Sequence, residues 1–185
     1  WDTPLSDVPH PSTSGAIVIG DKVLQGMTGC GRNATDGCFI SAIDINTGKR
    51  VWRFHTIPRE GEPGYDTWGK LPKESRAGVE TWLAGSYDPD LNLTYWGTGN
   101  PGPDYNGDNR MGDNLYSASV IALDADTGKL RWHYQFSPHD EFDWDSTQIP
   151  VLADITFRGA PRKVLTPALL GELYGAAGEY HVHGH

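Results

Sequence analysis

Two eleven-residue segments constrain this chain more than any other feature. Ala42-Ile43-Asp44-Ile45-Asn46-Thr47-Gly48-Lys49-Arg50-Val51-Trp52 and Ala122-Leu123-Asp124-Ala125-Asp126-Thr127-Gly128-Lys129-Leu130-Arg131-Trp132 share the pattern Ala-x-Asp-x-x-Thr-Gly-Lys-x-x-Trp. Each reads as a hairpin. A short apolar strand (residues 38–43 and 118–123) runs into Asp-x-x-Thr-Gly, and a second strand leaves toward the Trp. Asp and Thr side chains bond the amides of such a turn, and Gly supplies its left-handed residue. A weaker copy, Ser86-Tyr87-Asp88-Pro89-Asp90-Leu91-Asn92-Leu93-Thr94-Tyr95-Trp96, lies between them. Asn92 stands there in place of Gly, and Asn is the next residue best suited to that conformation.

Aligned on the first Asp, the copies stand at Asp44, Asp88 and Asp124, in steps of 44 and 36 residues. Propeller blades repeat at roughly 40–50 residues per four-stranded sheet. The Trp closing each copy is expected to pack between neighbouring sheets. Residues 16–26 form a further hairpin, with Gly20-Asp21 as its turn. Abundant Gly, Pro and Trp (23, 13 and 7) suit a turn-rich all-β protein. Three blades do not close a ring, and a repeat fold needs its neighbours. The expectation is therefore an incomplete β-propeller of roughly three to four four-stranded blades over residues 1–167, ending near a strand at 162–166. An irregular tail follows at 168–185, where His181, His183 and His185 read as a frayed terminus. The chain begins at Trp1 with no initiator Met or signal peptide, as a processed chain or a piece of a longer one would.

A net charge of −9 argues against a nucleic-acid partner, which requires a basic face. No apolar run approaches the ~18 residues of a transmembrane helix. Cys30 and Cys38 flank a polar, glycine-rich loop, so they are either a disulfide, as suits an exported protein, or two free thiols on adjacent strands. Two long irregular stretches, residues 57–78 and 97–114, are of the kind that covers a site. The chemistry concentrates after the last repeat. Pro138-His139-Asp140-Glu141-Phe142-Asp143-Trp144-Asp145 packs four carboxylates and a His into eight residues.

Several motifs in order resemble the quinoprotein alcohol dehydrogenases, of the methanol and ethanol dehydrogenase type. They are the repeat units, Thr81-Trp82-x3-Ser86-Tyr87-Asp88-Pro89, Gly97-Thr98-Gly99-Asn100-Pro101, Gly112-Asp113-Asn114 and Pro138 through Asp143. The resemblance implies an eight-bladed propeller, of which this chain is less than half. It implies a periplasmic oxidoreductase that converts an alcohol to an aldehyde with pyrroloquinoline quinone and a metal ion. The ion is calcium or, alternatively, a lanthanide, and the electrons pass to a cytochrome c or a quinone. By the same resemblance Asp143 is the general base. Hydride transfer to the quinone requires the hydroxyl proton to leave, and a nearby carboxylate accepts it. Asn100 and Asp143 ligate the metal, with Asp145 as a further ligand, as in the lanthanide-dependent branch. Trp82 forms the floor under the quinone ring, and Thr13, Thr28 and Gly29 contact the cofactor's carboxylates.

One departure stands against this pattern. The family supplies a metal-binding Glu just after the Thr28-Gly29 pair, where this chain has Gly31 and, nearby, Arg32, Asn33 and Asp36. Plainer roles also exist: Asn100 as a turn residue before Pro101, Trp82 as blade packing, Asp143 as a turn cap or a partner for Arg131. Two rival functions follow, a non-catalytic propeller used for binding or assembly and an inactive truncated fragment. A scaffold has no need of Trp82, Asn100 and Asp143 together.

Overall fold

The computed structural model describes residues 1–6, 12–30 and 37–153. Its strands, in chain order, are β1 (Ile17–Ile19), β2 (Lys22–Gln25), β3 (Phe39–Asp44), β4 (Arg50–His55), β5 (Ala77–Gly78), β6 (Ser86–Asp88), β7 (Leu93–Gly97), β8 (Pro101–Gly102), β9 (Ser119–Asp124) and β10 (Leu130–Gln135). Two four-stranded antiparallel sheets result, β1-β2-β3-β4 and β10-β9-β7-β6. The expected strand at 162–166, the three C-terminal His and the boundary at 167 lie outside the described residues. Trp1–Val151 packs as one compact unit and Leu152–His185 is a second.

The repeat is a hairpin, and that changes the blade count. The first copy is β3–β4. The middle copy, β6–β7, shares a sheet with the third, β9–β10. Three copies thus make two blades among the described residues, and the steps of 44 and 36 residues separate hairpins. Blade-to-blade spacing is the 80 residues from Asp44 to Asp124, stretched by the two long loops.

The turns form as their residues dictate. Asp44 Oδ1 accepts bonds from the Asn46 and Thr47 amides (3.1 and 2.7 Å) and the Thr47 hydroxyl (2.8 Å). Asp124 Oδ1 repeats this with Asp126 and Thr127 (3.2, 2.9 and 2.8 Å). Gly48 and Gly128 sit at φ +70° and +68°, and Asn92 fills the same place at +52°.

Trp52 joins the two blades. Its Nε1 donates to Ala125 O at 3.1 Å, and its ring lies on Gly128, where a Cβ would come within 2.4 Å of it. Trp1 meets the first blade in the same way, donating to Ile45 O at 2.8 Å with its ring on Gly48. Ile45 and Ala125 each follow the repeat Asp, so one docking geometry serves both turns. Trp96 is buried in the core between the sheets with Leu24, Ile40, Ile121 and Leu123. Trp132 does not meet the expectation of packing between sheets: it stands on β10, 45% exposed, with Tyr95 beside it at 5.8 Å. A polar link adds to the interface, since Asp126 accepts from both Lys22 (3.1 Å) and Asn92 (2.8 Å).

The two long loops pack on each other. β5 pairs with β8, Asn114 N donates to Thr67 O (2.9 Å), and Leu115 N donates to Thr67 Oγ1 (2.9 Å). Cys30 and Cys38 are joined as a disulfide. No helix among the described residues is long and apolar enough to cross a membrane.

Two outcomes follow. Gly128→Ala places a methyl against Trp52 and forces an L-residue to positive φ. It is expected to destabilise the chain by about 2 kcal/mol or more. Gly15→Ala, with nothing within 4 Å, is expected to be near neutral. Urea unfolding followed by tryptophan fluorescence measures both. The second outcome concerns pH. The Thr47 and Thr127 hydroxyls, aided by the turn amides, hold the Asp44 and Asp124 carboxyls below the usual carboxylate range. The folded value lies below the unfolded one, so this stabilisation is present above about pH 4 and is lost as pH falls through the folded value. The urea midpoint is expected to drop between pH 5 and pH 3, and to drop less in an Asp44→Asn, Asp124→Asn double variant.

Candidate active site

A sharp turn presents the acidic stretch. Asp140, 3% exposed, accepts the amides of Phe142 (2.7 Å) and Asp143 (3.2 Å) on its Oδ1. Asp143 and Asp145 both adopt left-handed backbone, φ +60° and +48°. Such conformations cost about 1–2 kcal/mol in residues other than Gly, and Asp tolerates them better than most. The alternation turns Asp143 and Asp145 toward the same neighbour, Asn100. Its Nδ2 donates to Asp143 Oδ1 and to Asp145 Oδ1 (3.3 Å), while its Oδ1 accepts from the Asp145 amide at 3.2 Å. Asn100 is buried, Asp145 half-buried and Asp143 exposed.

Arg110 holds this turn against the Gly97–Asn114 loop. Its guanidinium is fully buried and donates to Pro103 O, Asp140 O and Asn114 Oδ1. The Gly107 amide adds a bond to Glu141 Oε1 at 2.7 Å. Arg131 pairs loosely with Asp124 (3.8 Å), not with Asp143 as the plainer reading had it.

Beside Asn100 lies Trp82. Its ring covers Gly99 so closely that a Cβ there would come within 2.6 Å of it. Thr13 Oγ1 donates to Trp82 O (3.2 Å). The Thr28–Gly29 pair follows Met27, which exchanges backbone bonds with Thr81 (Thr81 N to Met27 O, 2.9 Å; Met27 N to Thr81 Oγ1, 3.1 Å). All seven residues singled out in the sequence thus fall along one connected path. Thr28 is a partial surprise, because its hydroxyl donates to Glu80 Oε2 at 2.5 Å. Gly31, Arg32, Asn33 and Asp36 lie outside the described residues.

The site is strongly negative. Burial, then the charge of Asp143, pushes the Asp145 carboxyl above its usual range, and the same two causes raise Asp104. An amide oxygen beside carboxylates at such mutual repulsion is a donor set suited to a hard calcium-type or lanthanide cation. Cys30, Cys38 and Glu80 also come within 4.8 Å of one another, but the disulfide consumes both sulfurs. The sequence reading missed Glu80, Asp104, Tyr105 and Arg110. Glu80 stands two residues before Trp82 and Tyr105 five after Asn100, spacings that carry no signal without the loop conformation.

Residues 6–170 match the family model of the glucose/ethanol/alcohol dehydrogenase β-propeller domain, PQQ type. The chain is 39% identical, over 91% of its length, to the quinohemoprotein alcohol dehydrogenase ADH IIB of Pseudomonas putida, and covers 26% of that protein. It is 38% identical to a lanthanide-dependent methanol dehydrogenase of Methylacidiphilum fumariolicum, with 86% of this chain and 29% of that one aligned. Among solved structures, the quinohemoprotein alcohol dehydrogenase of Comamonas testosteroni superposes with a TM-score of 0.68 at 37% identity, over 78% of this chain and 23% of the other. A europium-containing methanol dehydrogenase gives 0.69 at 34% identity, over 79% and 28%. The chain spans about a quarter of the length of such relatives. The two blades among its described residues, their Trp-on-Gly interface and the matched family model make it a member of the PQQ-type alcohol dehydrogenase β-propeller family.

Proposed function

We propose that this chain is part of an enzyme that oxidises an alcohol to an aldehyde, with pyrroloquinoline quinone and a bound calcium or lanthanide ion. The observation that carries the reading is Asn100, a buried amide bonded at once to Asp143 and Asp145. Asn100 and Asp143 would hold the ion, with Asp145 as a third oxygen donor. Trp82 would lie flat against the cofactor ring, offering apolar area at little entropy cost. Thr13, Thr28 and Gly29 would contact the cofactor's carboxylates. When bound, the quinone and ion together supply a polarised carbonyl that accepts hydride. Asp143, exposed at the surface, would take the hydroxyl proton of the alcohol as general base. A cytochrome c or a quinone would be the electron acceptor. The Cys30–Cys38 disulfide supports a periplasmic location.

Tryptophan fluorescence of the chain, titrated with pyrroloquinoline quinone in calcium, in lanthanum and without metal, tests the reading. Saturable, metal-dependent quenching is expected, and Trp82→Ala should abolish it with circular dichroism unchanged. Asp143→Asn in the complete enzyme should lower turnover by at least about a hundredfold while largely keeping the cofactor. Full activity in that variant removes Asp143 from the mechanism. The preferred ion distinguishes calcium from a lanthanide, the latter favoured by the additional charge of Asp145.

A further inference from the structure

Tyr105 donates its phenol hydrogen to Asp143 Oδ2 at 2.9 Å, while Asn100 holds Oδ1 of the same carboxylate. Both oxygens of Asp143 are therefore fixed by side chains from one loop. We infer that Tyr105 is a positioning residue for Asp143, a hydrogen-bond donor that holds the carboxylate in the orientation needed to bind a cation. The inference rests on the metal-site reading above.

Tyr105 is 73% exposed, and an exposed hydrogen bond alone would hold little. The backbones carrying its two ends, however, are pinned to each other. Arg110 Nη2 donates both to Pro103 O, two residues before Tyr105, and to Asp140 O, three residues before Asp143. Gly107 N to Glu141 Oε1 is a second tie between the same segments. β8, immediately before, is paired to β5. Phenol and carboxylate therefore face each other across a rigid frame, and little freedom is lost when the bond forms. A ligating carboxylate gains from such an outer partner, whose loss typically lowers metal affinity by 10–100-fold.

Phenylalanine removes only the hydroxyl, at an exposed position where folding is not at stake. Calorimetric titration of the full chain with terbium(III) reads the effect without cofactor or turnover. Tyr105→Phe is expected to weaken terbium binding about tenfold. In an Asp143→Asn background the same change is expected to have no further effect, because the group it positions is gone. Affinity within twofold of the parent overturns the inference and leaves the metal site standing. An equal loss in the Asp143→Asn background also overturns it, since Tyr105 would then act on the loop as a whole. If the parent chain takes up no terbium, or Asp143→Asn and Asn100→Ala bind as the parent does, the metal-site reading fails and the inference fails with it.

Discussion

The contact of one indole with one glycine underlies the rest of this structure. Trp52 reaches from the outer strand of the first blade, lies on Gly128 and bonds the carbonyl of Ala125. A four-stranded sheet alone buries one face at most, so the energy of the fold lies between sheets. The Asp-x-x-Thr-Gly turn makes that packing possible by keeping a flat, side-chain-free surface at a fixed height above β9. Its Asp satisfies the turn amides, so no backbone donor there needs water and the ring can close over the turn. Trp1 on Gly48 shows the same solution at the preceding blade edge.

The site inherits its rigidity from this interface through the loops. β7 and β10 flank β9 in one sheet and run in the same direction, so the residues that follow them leave from the same end of that sheet. Arg110 then draws them onto one buried guanidinium. Burying that charge is expensive, and the carbonyls of Pro103 and Asp140 with the Asn114 amide oxygen compensate it. Such a clamp maintains the left-handed conformations of Asp143 and Asp145, which a loose loop would relax.

Much of this was legible in the chain, and the limits have physical causes. The hairpin turns could be read because Asp, Thr and Gly act on their own backbone within four residues. The number of blades could not, because the repeat marks hairpins and only pairing assigns hairpins to sheets; β7 beside β9 bridges a 21-residue insertion. Trp52 and Trp132 are equivalent in sequence, yet one is buried and the other 45% exposed. That difference belongs to the neighbouring sheet, not to the residue. At the site, the resemblance pointed to Asn100, Asp143 and Asp145, which the structure brings into hydrogen-bond contact. Tyr105 and Glu80 escaped notice because loop geometry, not spacing, brings them to Asp143 and Thr28. The disulfide was one of two open readings, since a gap of eight residues permits either.

The charge at the site argues for an ionic partner more strongly than any single residue does. Asp104, Asp143 and Asp145 share a region where burial and mutual repulsion push Asp104 and Asp145 upward. The Arg110 charge opposes that rise at Asp104, but its two terminal nitrogens are bonded to the Pro103 and Asp140 carbonyls and to Asn114. Repulsion of this kind opposes folding and gains nothing by itself. It becomes useful when a cation enters, because the same charges that repel one another then all attract the ion. Asn100 fits that purpose as a neutral oxygen donor, binding without adding repulsion. Its buried amide also donates to both Asp143 and Asp145, which offsets part of the repulsion between those two carboxylates.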